Sequence, residues 1–326
     1  MGLFAEKTSM KQIRAIDLFC GAGGSSWGAK SAGVDVVAGF DMCSAAEAVY
    51  KDNFTGAKFY CDKLENIKPQ SLTRKLGKVD LILASPECTN HSVAKGNKPR
   101  CEQSRETALL VIKFAKVFQP RWLVIENVIS MKNWKRYTEL ISDIEKLGYK
   151  TNMQVLNSAD FGVPQARRRM FILCDRERKP QPVKIPKKQI KTARHIIDGN
   201  GTYNYSPLKT PKRARATLER ADRAIASLGK NSPFLIVYYG TDHAGGWQSI
   251  DVPLRTITTL DRFAYVKPTT SGHVMRMLQP PELKQAMGWP KKFKLNHGTR
   301  RDKIKMVGNA VCPPVMKAIV KNLICI

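Results

Sequence analysis

Between Ile13 and Cys174, short runs of apolar, mostly β-branched residues alternate with segments of helical spacing. Ile13–Phe19, Val34–Phe40, Val79–Ala84, Trp122–Glu126, Met153–Leu156 and Met170–Cys174 read as strands. Ser26–Ala32, Ala45–Asn53, Thr107–Phe118 and Asn133–Leu147 read as helices, the last stopped by Gly148. Strands that are apolar throughout, each followed by a helix, predict an α/β fold with a parallel, doubly wound sheet. After Cys174 the texture changes. Arg176–Lys230 is rich in Lys, Arg and Pro, and Phe234–Tyr239 and Arg255–Thr259 then read as strands flanked by Gly and Pro. This stretch predicts a second, smaller, irregular and β-rich domain.

Composition adds a partner class. The 326 residues are 43% hydrophobic, enough for a sizeable core, but 55 Lys and Arg stand against 27 Asp and Glu. The resulting charge of +28 repels itself unless a polyanion takes it up. Nucleic acid is the first candidate, because phosphate neutralisation dominates its binding. An anionic membrane surface is the rival, yet no apolar run approaches a membrane span. Between Arg176 and Lys230 alone there are 15 basic residues against 4 acidic ones. The eight cysteines show no C-x-x-C pair and no metal-ligand spacing with His, so no metal is expected. Free thiols and a mixed polar Met1–Lys11 lead us to expect a cytoplasmic protein.

Four motifs carry chemistry. The first, Asp17-Leu18-Phe19-Cys20-Gly21-Ala22-Gly23-Gly24, follows the first strand. Its glycines let the chain turn tightly and let a ligand approach the backbone. Alone it could serve a dinucleotide, a methyl donor or mere packing. Asp41, ending the second strand, is placed to bind ribose hydroxyls, and Asp62 to read an adenine amino group or simply to finish a turn. The second motif is Ala84-Ser85-Pro86-Glu87-Cys88-Thr89, a cysteine on a loop at the carboxyl end of a strand. Most loop cysteines are inert; as a thiolate this one would be a strong nucleophile. The third is Glu126-Asn127-Val128, an acid at a strand end facing the same cleft, suited to the N3 and amino edge of cytosine. The fourth is Gly162-Val163-Pro164-Gln165-Ala166-Arg167-Arg168-Arg169, in which Gln165, Arg167 and Arg169 share a face if extended. Guanidiniums there suit a cytosine O2 or a phosphate.

In order and spacing, this set resembles the C5-cytosine-specific DNA methyltransferase family across nearly the whole chain. The resemblance implies a Rossmann-like catalytic domain, 1–199, binding S-adenosylmethionine. It also implies a target-recognition domain, 200–299, and a C-terminal segment, 300–326, returning to the catalytic domain. Phe19, Gly21, Gly23, Asp41, Met42, Asp62, Pro86 and Asn309 then fall on the cofactor site. Arg276-Met277-Leu278 through Glu282 to Gly288-Trp289-Pro290 is similar to the segment that organises the recognition domain. Cys88 falls on the nucleophile, with Glu126, Arg167 and Arg169 as further catalytic residues.

The implied reaction flips a cytosine out of double-stranded DNA. Cys88 attacks C6, Glu126 holds N3, Arg167 holds O2, and the methyl group passes to C5. A monomer associated with the nucleoid is expected, of prokaryotic or phage restriction-modification or orphan type. Tyr203, Tyr205, Arg213, Arg215, His243 and Trp247 are candidate groove residues, and Asp251–Val266 the expected core of the recognition domain. The family's Pro-Pro-Cys-Gln is here Pro86-Glu87-Cys88-Thr89, and an acid beside a cysteine disfavours the thiolate. Three rivals stay open at this point: the same chemistry on tRNA, a silent DNA-binding homologue, and an NAD-dependent oxidoreductase.

Overall fold

The computed structural model describes residues 12–87, 106–239 and 245–324. Its larger sheet is built from β1 (Arg14–Leu18), β2 (Asp35–Asp41), β3 (Lys58–Cys61), β4 (Leu81–Ala84), β5 (Trp122–Asn127), β6 (Lys150–Asn157) and β7 (Arg168–Asp175). The strand order is β3-β2-β1-β4-β5-β7-β6. Five strands are parallel, as the apolar runs predict. The expectation of a wholly parallel sheet fails at one side, where β7 is antiparallel to both β5 and β6. The cause is connection length: only residues 158–167 join β6 to β7, too few for a crossover helix.

Alternation along the central strands divides the core between two faces. Ala15, Leu81, Leu83, Val124 and Leu173 point to one side, and Ile16, Leu18, Ile82, Ile125 and Ile172 to the other. The second side is covered by α3 (Thr107–Phe118) and α4 (Tyr137–Lys146); the first by α1 (Gly24–Ser31) and α2 (Ser44–Asn53). The helix expected over Asn133–Leu147 starts late, because a 3₁₀ turn occupies Ile129–Asn133 and Trp134 is extended.

The smaller sheet contains β8 (Ser206–Pro207), β9 (Phe234–Val237), β10 (Trp247–Ser249), β11 (Phe263–Thr269) and β12 (Gly272–Met277). It is antiparallel, in the order β10-β9-β11-β12-β8. Helix α5 (Arg215–Leu228) packs on it through Ala221 and Ala224 over Phe234, Ile236, Ala264 and Val266. The strand expected at Arg255–Thr259 does not form. Leu254 makes a lone bridge to Gln165, and the Ile257 amide is taken by the Gln165 side chain (2.9 Å). The expected core Asp251–Val266 therefore splits: its first half docks on the Gly162–Arg169 motif, and only Phe263–Val266 enters the sheet.

The chain returns through α6 (Pro280–Ala286), α7 (Arg300–Asn309) and α8 (Pro313–Ile324). α8 lies directly on α1, where glycines make room. A Cβ at Gly24 would meet the Val311 carbonyl at 2.3 Å, and one at Gly28 would meet Met316 Cβ at 2.6 Å. Between the smaller sheet and α6, Arg276 and Glu282 form a buried ion pair at 2.7 Å. The Arg276 guanidinium lies against the rings of Tyr203, Tyr205 and Tyr265 at 5.0, 5.3 and 5.7 Å.

Candidate active site

The parallel strands β1, β2, β4 and β5 end along one edge, where the first three motifs begin, and the fourth runs from the β6–β7 connection into β7. After β1 the chain turns sharply. Phe19 has φ +59°, unusual for a residue with a side chain, followed by Gly21 at +50° and Gly23 at +91°. A side chain at Gly23 would strike the Phe54 ring at 2.4 Å, whereas Gly21 has open space beside it. Asp41 braces this turn, accepting from the Gly21 amide (2.9 Å) and the Cys43 amide (3.0 Å). Burial raises the Asp41 pKa, and these two amides pull it back. Its neighbour Met42 is an apolar side chain left 67% exposed. Asp62 is exposed and accepts from the Lys63 amide (2.6 Å) and Asn66 Nδ2 (2.8 Å), so in this state it holds a turn.

Beneath the loop lies a residue that sequence reasoning passed over. Asp17 is wholly buried, and its Oδ2 accepts from the Ser26 amide (3.0 Å) and Ser26 Oγ (2.6 Å). Ser26 Oγ also meets Tyr50 Oη at 2.8 Å. Asp17 Oδ1 is buried with no hydrogen-bond partner among the described residues. Burial pushes this carboxyl up to about 7, against the pull of the Ser26 bonds. The available signal was an acid set among Ala15, Ile16 and Leu18 of β1.

At the ends of β4 and β5, Pro86 is buried, and its carbonyl accepts from Asn127 Nδ2 (3.2 Å). The Asn127 Oδ1 accepts from the Val128 amide, so this asparagine clamps the turn that leads to Cys88. Cys88 itself lies outside the described residues, as does His243. Glu87 is exposed to solvent, where its charge is screened.

Glu126 is 6% exposed. Burial raises its pKa, and Arg169 and then Arg167 pull it back. β7 runs antiparallel beside β5, which brings Arg169 Nε to 3.3 Å from Glu126 Oε1. A small pocket here is lined by Glu126, Ser158, Arg167, Arg169 and Cys312 over Leu156, Phe171, Val311 and Val315. Ser158 and Cys312 were not anticipated from sequence. Ser158 opens the β6–β7 connection four residues before Gly162, and Cys312 immediately precedes α8; neither lies within a quoted motif.

Gln165, Arg167 and Arg169 serve different ends. Gln165 Nε2 donates to the Ala286 carbonyl (3.3 Å), while its Oε1 receives the Ile257 amide. Arg167 is buried and donates through Nη1 to the Ile257 carbonyl (3.1 Å) and through Nη2 to the Gly308 carbonyl (2.9 Å). Arg169 forms the ion pair with Glu126, and the charge of Arg167 acts on the same carboxyl. Asn309 is exposed and follows Gly308 at the end of α7. Among the candidate groove residues, Tyr203 and Tyr205 pack on Arg276. Arg213 is tied to Leu208, Pro207 and Ser206, and Arg215 pairs with Glu219. Trp247 is half-buried in β10. No described helix is long and apolar enough to cross a membrane, and no metal-binding group of His, Cys, Asp and Glu occurs among the described residues.

Comparison with known proteins agrees with this architecture. The chain is 31% identical to Type II methyltransferase M.AgeI of Thalassovita gelatinovora over 188 residues, 54% of this chain and 44% of that protein. That alignment spans under half of the relative. A second relative, Type II methyltransferase M.AplI of Arthrospira platensis, is 28% identical over 322 residues, covering 96% of this chain and 86% of it. The crystal structure of a mutant DNMT2 from Spodoptera frugiperda shares the fold, with a TM-score of 0.70 at 17% identity, covering 96% of this chain and 99% of that one. The profile of the C-5 cytosine-specific DNA methylase family matches residues 13–325, and the chain belongs to that family.

Proposed function

We propose that this protein methylates carbon 5 of cytosine in double-stranded DNA, with Cys88 as nucleophile and S-adenosylmethionine as methyl donor. The observation that carries the reading is the buried Glu126–Arg169 pair, set at the end of β5 beside the Pro86 turn that Asn127 clamps. The residues around the β1 turn fit the donor: open space at Gly21, an acceptor at Asp41, and exposed apolar surface at Met42. Phe19, Gly23, Asp62, Pro86 and Asn309 complete the proposed set, Asp62 by giving up its present turn bonds. S-adenosylmethionine, when bound, supplies an electrophilic methyl group.

The residues divide the remaining work. Carbon 5 cannot be reached inside a stacked duplex, so the cytosine is flipped into the pocket. The Cys88 thiolate adds to C6, and the electron pair released toward N3 is met by a proton held at Glu126. Burial raises the pKa of this carboxyl and so favours its protonated form, while Arg169 and Arg167 oppose the shift. O2 is held by the arginines of the same pocket, Arg167 and Arg169, Arg167 being fixed there by its bonds to the Ile257 and Gly308 carbonyls. C5 then takes the methyl group; a base removes the C5 proton, the C5=C6 double bond re-forms as the Cys88 thiolate leaves C6, and N3 returns its proton to Glu126. Residues 200–299 act as the recognition module, and a restriction-modification role follows the Type II relatives.

Transfer of labelled methyl groups to duplex DNA and to tRNA, side by side, tests the substrate. The expected product is 5-methylcytosine in DNA, lost in Cys88→Ser. Labelling of tRNA alone, or of neither, would overturn the proposal.

A further inference from the structure

Between β7 and the smaller sheet the chain does not wander. Lys150 Nζ donates to the Glu177 carbonyl (3.0 Å), Asn152 Nδ2 to the Pro180 carbonyl (2.7 Å), and the Val183 amide to Gln154 Oε1 (2.9 Å). Lys150, Asn152 and Gln154 are alternate residues on one face of β6, the outermost strand of the larger sheet. A strap from 177 to 192 therefore runs up the sheet's open edge, pinned rung by rung. Val183 is buried, and Asn322 of α8 adds a bond to the Gln181 carbonyl (2.9 Å). At the top, the Lys188 chain lies against Gly162, whose Cβ would sit 3.0 Å from it. Gly162 opens the catalytic motif that carries Gln165, Arg167 and Arg169. The strap then joins the smaller sheet's approach, with the Ala193 amide on the Val252 carbonyl (2.8 Å).

The strap's chemistry is one-sided. Residues 179–192 contain five lysines and no acid. Lys184, Lys187, Lys188 and Lys191 are exposed, follow the Val183 anchor, and have no ion-pair partner among the described residues. Pro180, Pro182 and Pro186 hold the backbone extended, so the cations are presented at little further entropic cost. Parallel β5 and β6 end on the same side, which puts the upper strap beside the edge where Glu126 stands. A row of cations without ion-pair partners among the described residues, beside that edge, fits a polyanion backbone rather than a compact anion.

We infer that Lys184, Lys187, Lys188 and Lys191 form a phosphate-contacting rail for double-stranded DNA flanking the target base. The inference rests on the DNA reading of the active site. The rail adds affinity without sequence information, since phosphate contacts position a duplex and base contacts specify it.

The test is the salt dependence of binding to a duplex longer than the recognition site. Each phosphate contact contributes roughly 0.9 to the slope of log affinity against log salt, or about 3-fold in affinity between 50 and 200 mM salt. The quadruple Lys→Gln variant is compared with a Lys68, Arg74 and Lys75→Gln control, whose exposed cations precede β4 at the opposite edge. The rail variant is expected to lose about two to four from the slope, with kcat at saturating DNA within twofold of wild type. The control should keep its slope. An unchanged slope in an active rail variant, or an equal loss in the control, would overturn the rail and leave the methylation reading standing. Failure of the unmodified protein to bind or methylate duplex DNA would instead sink the reading on which the rail rests.

Discussion

Asp17→Asn separates the price of a buried charge from the bonds that charge makes. The carboxyl is raised from an ordinary 3.8 to about 7, chiefly because burial disfavours the ion. An acid whose folded pKa exceeds its unfolded value holds its proton more tightly in the fold, so ionisation destabilises the folded state. The penalty begins above the unfolded pKa and stops growing above the folded one. With those two values, the wild type loses about 2 to 3 kcal/mol between roughly pH 5 and pH 8 through this group alone. Asparagine keeps an acceptor for the Ser26 amide and hydroxyl and cannot ionise. It places an amide nitrogen where Oδ1 now has no described partner, at a cost of about 1–3 kcal/mol that does not vary with pH. Urea unfolding of both proteins across this range isolates the difference. The stability of Asp17→Asn relative to wild type should rise by about 2 to 3 kcal/mol from low to high pH. A flat difference would mean that Asp17 ionises freely in the fold, and the argument from burial would be wrong.

Three further outcomes follow from the packing. Gly28→Ala forces its methyl into Met316 and the Pro313 carbonyl, both under 3 Å, and should lower unfolding stability by about 1–3 kcal/mol in urea titration. Glu282→Gln strands the Arg276 guanidinium, which is 2% exposed, and should cost about 3–5 kcal/mol by the same measurement. Glu87→Gln removes the exposed negative charge that precedes Cys88 in the chain; the rate of Cys88 alkylation at pH 7 should rise by less than about tenfold, and a larger rise would mean Glu87 is not screened.

The parallel half of the sheet was legible because strands buried on both faces, such as Leu81–Ala84 and Trp122–Ile125, are apolar at every position. The reversal at β6–β7 was not, since periodicity says nothing of direction and the length of the 158–167 link went unweighed. Arg255–Thr259 has a strand's composition, but its hydrogen bonds go to Gln165 and Ala166, a tertiary choice no local pattern records. The site showed the same limit. Spacing put Arg167 and Arg169 on one face, yet only the antiparallel register of β5 and β7 decides which meets Glu126. Tyr203 and Tyr205 looked like groove residues because aromatic and basic residues cluster there. In the fold that clustering serves the Arg276–Glu282 pair.

In the proposed reaction, Cys88 adds to C6 of a cytosine in DNA while C5 receives a methyl group. Duplex DNA carrying 5-fluorocytosine tests it directly, because the fluorine that replaces the C5 hydrogen cannot be lost as a cation, so elimination stops and the protein stays bonded after methyl transfer. Mass spectrometry of the protein incubated with this DNA and S-adenosylmethionine should show a covalent complex bearing one added methyl group, mapped to Cys88 and absent in Cys88→Ser. A protein that binds the duplex and the methyl donor yet forms no such complex would contradict the account.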